Sequence, residues 1–169
     1  CPNACVIPAP LVSAPLSTTP DSDVLFMYSD VYTTTQVSFI DPTWAAIPPS
    51  NYSGPSTEVV IAGTSDNVRY FENANVLFMN IPETDVTAYR YFHVDIWSAN
   101  STFAIVKWVA TGPGLEGNIP VTLTPNAWTS VDIDLDAFGA FSDVANRETM
   151  FQLIFDAISG NDYYFDNVY

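Results

Sequence analysis

The sequence predicts an all-β protein, a β-sandwich jelly roll of about ten short antiparallel strands. Three observations carry that expectation. From about Asp21 onward most segments either alternate apolar and polar residues with period two or form a short apolar run, as half-buried and fully buried strands do. Pro, Gly, Asn or Asp bounds these runs, and 13 Pro in one chain imply many edges and turns. No stretch carries the 3.6-residue apolar spacing of an amphipathic helix.

In chain order, residues 1–20, "CPNACVIPAPLVSAPLSTTP", hold five Pro and no charge, and read as an extended linker or tether. The sandwich domain is expected over 21–169. Its strand candidates are 24–29, 58–63, 67–71, 74–81, 89–98, 102–110, 118–123, 129–135, 150–157 and 163–169. Between 136 and 149 one helical turn is expected, with Ser142 placed as an N-cap. The longest irregular stretch is 32–56. Connections beyond about 12–15 residues in compact domains are usually functional, which draws attention to Trp44 and Tyr52 within it.

Composition narrows the function. A chain of 169 residues forms one domain that buries roughly two-thirds of its unfolded surface, enough for a true core. Four Lys and Arg against 19 Asp and Glu leave a net charge of −15, a field that repels phosphate backbones and anionic lipid. Nucleic acid and membrane surfaces are therefore disfavoured partners. An acidic surface suits an exported protein, a neutral ligand such as a polysaccharide or oligosaccharide, or Ca²⁺, which prefers oxygen ligands. Cys1 and Cys5 fit either a small disulfide of an exported protein or a lipidated or tethering Cys1. No run of about 18 apolar residues is present to span a bilayer as a helix.

Strand alternation separates faces. In 91–97 Phe92, Val94 and Ile96 point inward, leaving His93, Asp95 and Trp97 outside. In 130–136 Val131, Ile133 and Leu135 go in, and Asp132, Asp134 and Asp136 out. In 151–156 Phe151, Leu153 and Phe155 go in, and Gln152 and Asp156 out. For 103–108, Lys107 outward puts Trp108 in the core. The Asp comb suits a solvated face better than a catalytic cleft. With one His, no nucleophile motif and no glycine-rich phosphate loop, no enzyme is expected.

Exposed aromatics are the better lead, since flat rings stack on the apolar faces of pyranoses while polar neighbours bond hydroxyls. The carbohydrate-binding candidates are Trp44, Tyr52 and Trp97 for stacking, with His93, Asp95 and Gln152 for hydroxyl contacts. Trp128, following a turn, is expected to pack rather than bind.

In the closing segment "YYFDNVY", Asp166 shares a side with Val168 if the alternation continues, and burial of a carboxylate is costly without a partner. The chain has few cations to offer. A bound Ca²⁺, held by Asp166 together with Ser29, Asp30 and neighbouring oxygens of 28–35, resolves this if the first and last segments meet.

The segments "DVLFMYSDVYTTT", "DPTW", "YFHVDIWSAN", "WTSVDIDLDAF", "FQLIFDA" and "YYFDNVY", in this order, resemble a family of carbohydrate-binding modules with a galactose-binding-like jelly roll. Such modules occur in secreted Bacteroidetes laminarinases and surface glycan-binding proteins. The resemblance implies a non-catalytic module in a multimodular secreted or cell-surface protein. It also implies a structural Ca²⁺ at Ser29, Asp30 and Asp166, and an aromatic contact at Trp44. The expected ligand is a neutral polysaccharide such as the β-1,3-glucan laminarin; the alternative is an adhesion or assembly domain for a protein partner.

Overall fold

The computed structural model describes residues 8–33, 57–74, 76–112, 115–156 and 161–169. Trp44 and Tyr52 lie outside the described residues. Nine strands are present among them: β1 (Thr57–Val60), β2 (Asn67–Ala74), β3 (Leu77–Thr84), β4 (Tyr91–Ser98), β5 (Phe103–Ala110), β6 (Glu116–Thr122), β7 (Ala127–Asp134), β8 (Met150–Asp156) and β9 (Asn161–Asp166). They form a five-stranded sheet, β1-β2-β9-β4-β7, and a four-stranded sheet, β3-β8-β5-β6, with every pairing antiparallel. Pro82 and Pro120 both fall on edge strands, β3 and β6, where a missing N–H costs no central ladder bond.

The two inner faces make one core. Phe71, Phe92, Val94, Ile96, Tyr163 and Phe165 come from the larger sheet, and Leu77, Met79, Val106, Trp108, Leu153 and Phe155 from the smaller. Phe92 meets Trp108 edge to face at 5.4 Å, and Phe165 meets Phe155 at 4.6 Å, so aromatic pairs stitch sheet to sheet. Each such ring, fully buried, contributes about 1.5–3 kcal/mol. The phase in β5 is as expected: Trp108 is buried and Lys107 points out to Asp156 at 2.6 Å and Glu116 at 3.7 Å. In β8 the expectation needs correction. A register shift next to Val109 and Ala110 turns Met150 into the core and leaves Phe151 half-buried.

Two further expectations change. Residues 24–29 are not a strand but meet the chain end through one bridge, Tyr28 to Val168, with Met27 N and Tyr28 N both donating to Val168 O. Pairing stops there because Asn167 adopts φ +47°, which breaks the period-two alternation. Val168 therefore turns into the core while Asp166 stays on the outer face, so the two do not share a side. Between β7 and β8 the chain makes three 3₁₀ turns, Leu135–Phe138, Ala140–Ser142 and Val144–Arg147, and the last is capped by Asp143, not Ser142. Buried Arg147 ties these turns down by donating to Phe141 O and pairing with Asp136. Gly117 on β6 lies so close to them that a Cβ there would collide with the Phe138 carbonyl.

Candidate functional site

The outer face of the five-stranded sheet gathers the chemistry. Cross-strand register lines up Tyr70 on β2, Tyr164 on β9, Trp97 on β4 and Trp128 on β7. Residues directly opposite share a face, so these four form one aromatic row across four adjacent strands. At about 4.8 Å between strands the row is roughly 14 Å long. Its rings are in contact: Tyr70 and Tyr164 at 4.8 Å, Trp97 and Tyr164 edge to face at 5.4 Å. Ile61, Val68 and Ala99 pack around it, making a second apolar cluster separate from the core.

Two residues along each strand, a polar row runs parallel. Asp166 on β9, Asp95 on β4 and Ser130 on β7 are direct cross-strand partners. Asp95 is fully buried yet well bonded: Ser130 Oγ donates to Oδ1, Asn167 Nδ2 donates to Oδ2 at 2.8 Å, and His93 Nε2 lies at 3.5 Å. A third row holds Tyr169, His93 and Asp132, because Tyr169 and His93 exchange backbone bonds and His93 opposes Asp132. The His93 ring stacks on Tyr169 at 4.6 Å, and its Nδ1 is 2.7 Å from Asp132 Oδ1. Burial works against a charged His93, but the hydrogen bonds and charges of Asp95 and Asp132 outweigh it and hold its pKa above the ordinary value.

Asp166 faces the opposite problem. It is 1% exposed, and burial, followed by the like charges of Asp66, Asp30 and Asp95, pushes its pKa up to about 8 against the lowering effect of the Asn167 N–H. Asp30, Asp66 and Asp166 each offer a carboxylate oxygen, and these atoms all lie within 4.8 Å of one another. Asp30 Oδ2 accepts from Asn67 N and Asp66 Oδ2 from Ala14 N. Ser29 is adjacent, but its hydroxyl donates to Asn167 Oδ1 and accepts from Val31 N. An all-oxygen set of three carboxylates fits a hard divalent cation such as Ca²⁺, whose charge would favour the ionised Asp166 that burial disfavours.

Residues 8–20 do not leave this domain but pack on it. Trp128 Nε1 donates to Val12 O at 2.8 Å, Ala14 N to Asp66 Oδ2 at 3.1 Å, and Asn167 Nδ2 to Pro15 O at 3.2 Å. Ser17 Oγ lies 2.7 Å from Tyr169 Oη and accepts from Tyr32 Oη. These partners belong to β7, the turn before β2, the residues after β9 and, for Tyr32, the segment before β1. The segment therefore runs between the β7 edge and the β2 end of the outer face, on which Trp97 is 4% and Tyr164 6% exposed.

Among solved structures, the chain is similar to the family 30 carbohydrate-binding module of the cellulosomal cellulase Cel9D-Cel44B of Clostridium thermocellum. Identity is 14% and the TM-score 0.50, over 67% of this chain and 79% of that one. Another family 30 carbohydrate-binding module matches at 14% identity and TM-score 0.50, over 68% and 71%. The fold is that of carbohydrate-binding-module β-sandwiches. The family 11 module of the C. thermocellum cellulosomal cellulase Lic26A-Cel5E is also similar, at 15% identity and TM-score 0.47, over 80% and 94%. No protein-family model and no curated protein matches the chain.

Of the residues expected from sequence, Trp97, His93 and Asp95 come together on this face, all of them buried. Gln152 does not join them. It lies on β8 in the other sheet, its amide donating to Asn80 Oδ1 at 2.7 Å. Tyr70, Tyr164 and Trp128 were not foreseen in the row, because it runs across strands and single-strand alternation carries no cross-strand register. Asp66 sits in "TSDN" between β1 and β2 and reads in the sequence only as a turn residue. Of the acidic comb, Asp134 pairs with Arg90 at 3.0 Å and Asp136 with Arg147, while Asp132 serves His93.

Proposed function

We propose that the chain is a non-catalytic carbohydrate-binding module for a neutral polysaccharide, with a β-1,3-glucan such as laminarin as the glycan to test first. The observation that carries this reading is the aromatic row Tyr70–Tyr164–Trp97–Trp128 with the polar row Asp166–Asp95–Ser130 beside it. Rings of this kind offer stacking surface to successive pyranoses, and the flanking groups offer acceptors and donors for hydroxyls. A net charge of −15 fits a neutral glycan and opposes an anionic one. The likeness in fold to modules described as carbohydrate-binding supports the same class. The choice of laminarin rests on the sequence resemblance alone, as does a place in a multimodular chain; an exported or cell-surface location draws also on the acidic surface and on Cys1 and Cys5.

A structural Ca²⁺ belongs to the same proposal. Asp30, Asp66 and Asp166 would hold it, tying the first described segment of the domain, the β1–β2 turn and the last strand together. It supplies cohesion rather than chemistry, and sugar contact is left to the aromatic row.

Affinity electrophoresis tests the ligand. Laminarin, mixed-linkage glucan, xylan, mannan and alginate are cast in native gels. Retardation by a neutral glucan and none by alginate is expected. Free migration through all neutral glucans rules the ligand class out. A second reading, adhesion to a protein partner, draws on Leu11, Val12 and Leu16, which stand 82%, 66% and 79% exposed on one segment. Its mark is a tryptophan emission shift with a protein partner and none with any oligosaccharide.

A further inference from the structure

We propose that residues 10–17 are a built-in occupant of the glycan-binding face, and that a glycan binds by displacing them. This rests on the glycan-binding reading above, and adds that the free protein holds its own face closed.

The chemistry of the strap resembles that of the ligand it would exclude. Val12 O accepts from the Trp128 indole and Pro15 O from the Asn167 amide, while Ala14 N–H donates to Asp66. Two acceptors and one donor thus sit where the hydroxyls of a neutral, extended chain would sit. The segment carries no charge, as a neutral glycan carries none. It spans, from Trp128 to Asp66, a face that is closed in the free protein: Trp97 and Asp95 are 4% and 0% exposed although they point away from the core between the sheets.

The strap is also lightly held. Its larger apolar side chains, Leu11, Val12 and Leu16, turn to solvent, and only Pro10 and Ala14 are buried. No ladder of strand hydrogen bonds secures it, since no strand lies in 8–20. Among the described residues its anchors at Val12, Ala14, Pro15 and Ser17, with a Ser13 side-chain bond to Asp66, are made to groups of the face or its rim. Release of the strap would free the Trp128 indole of the aromatic row and the Asn167 amide beside it. A face free for one-tenth of the time binds with an apparent affinity lowered about tenfold.

The test uses the full chain. Ala14→Leu puts bulk into the buried position, and Ser17→Ala removes the hydroxyl shared by Tyr169 and Tyr32; neither residue belongs to the aromatic or polar rows. Both variants should bind laminarin about tenfold more tightly than the wild type, which a closed face weakens by that factor. In the wild type, the Ala14 amide should be protected from hydrogen–deuterium exchange when free and should lose that protection at saturating laminarin. Equal affinities, or protection over 8–20 that persists in the laminarin complex, would overturn the strap and leave the glycan reading standing. If neither the wild type nor either variant binds any neutral glucan, while Ala14 is protected in the wild type and released in the variants, the glycan reading fails and the competition fails with it.

Discussion

Asp166 makes the protein's stability depend on pH and cation in a way that can be worked out in advance. Its pKa in the folded, cation-free chain is pushed from 3.8 up to about 8, with burial the largest cause. Each pH unit is worth about 1.4 kcal/mol, so on the order of 5 kcal/mol rides on this one side chain. The folded state holds a proton that the unfolded state has released between about pH 4 and pH 8, so stability falls as pH rises through that window and levels off above it. For a chain of this size 1 kcal/mol moves the thermal midpoint by about 2–4 °C, giving a drop of about 10–20 °C across the window in EDTA. Saturating Ca²⁺ should abolish the Asp166 part of the drop, since it binds the ionised form and stabilises the fold by mass action. Asp166→Asn, which keeps the shape but cannot ionise, should remove this part of the drop in EDTA, leaving the His93 part, and lose the response to Ca²⁺. The assay is differential scanning fluorimetry from about pH 4 to about pH 8.5 with EDTA or Ca²⁺. A flat wild-type profile in EDTA, or an Asp166→Asn profile with the wild-type slope, refutes the reasoning; equal midpoints with EDTA and Ca²⁺ at high pH refute the cation.

Three more outcomes follow from the geometry. In the Ser17→Ala background, where the strap is already loosened, Trp128→Ala should weaken laminarin binding by at least about tenfold, equivalent to about 1.4 kcal/mol, while leaving the core intact; unchanged affinity in a native-gel series there would remove Trp128 from the site. Gly117→Ala should destabilise by about 1–3 kcal/mol in urea unfolding, because its methyl group meets the backbone carbonyl of Phe138, which has no rotamer to escape into. His93, with its pKa raised by Asp95 and Asp132 over the opposing effect of burial, contributes stability that is complete below about pH 6.5 and lost as pH rises through the raised value. His93→Gln should erase that part of the profile when compared in saturating Ca²⁺, where Asp166 is silent; a wild-type profile in the variant would assign the titration elsewhere.

The sandwich was legible because its cause is local. Period-two alternation in β4, β5 and β7 placed Phe92, Trp108 and Ile133 inside without any knowledge of their partners. Where one residue breaks the alternation the sequence misleads: Asn167 with its positive φ sends Val168 inward, and the register shift beside Ala110 exchanges Phe151 for Met150. The candidate site was half legible. Trp97, His93 and Asp95 share a strand, and so a face. Tyr70, Tyr164 and Trp128 join them only through cross-strand register, and Asp66 joins Asp30 and Asp166 only through the path of the β1–β2 turn. The packing of 8–20 on the sheet was not legible either, because a Pro-rich, uncharged segment has the same composition whether it tethers or docks.

A crystal structure of the Ca²⁺-loaded protein soaked with a laminarin oligosaccharide bears most directly on the central claim. Sugar rings are expected stacked along Tyr70, Tyr164, Trp97 and Trp128, with hydroxyls bonded to the Asp95 row and residues 10–17 displaced. An oligosaccharide bound elsewhere while the aromatic row stays covered would contradict it.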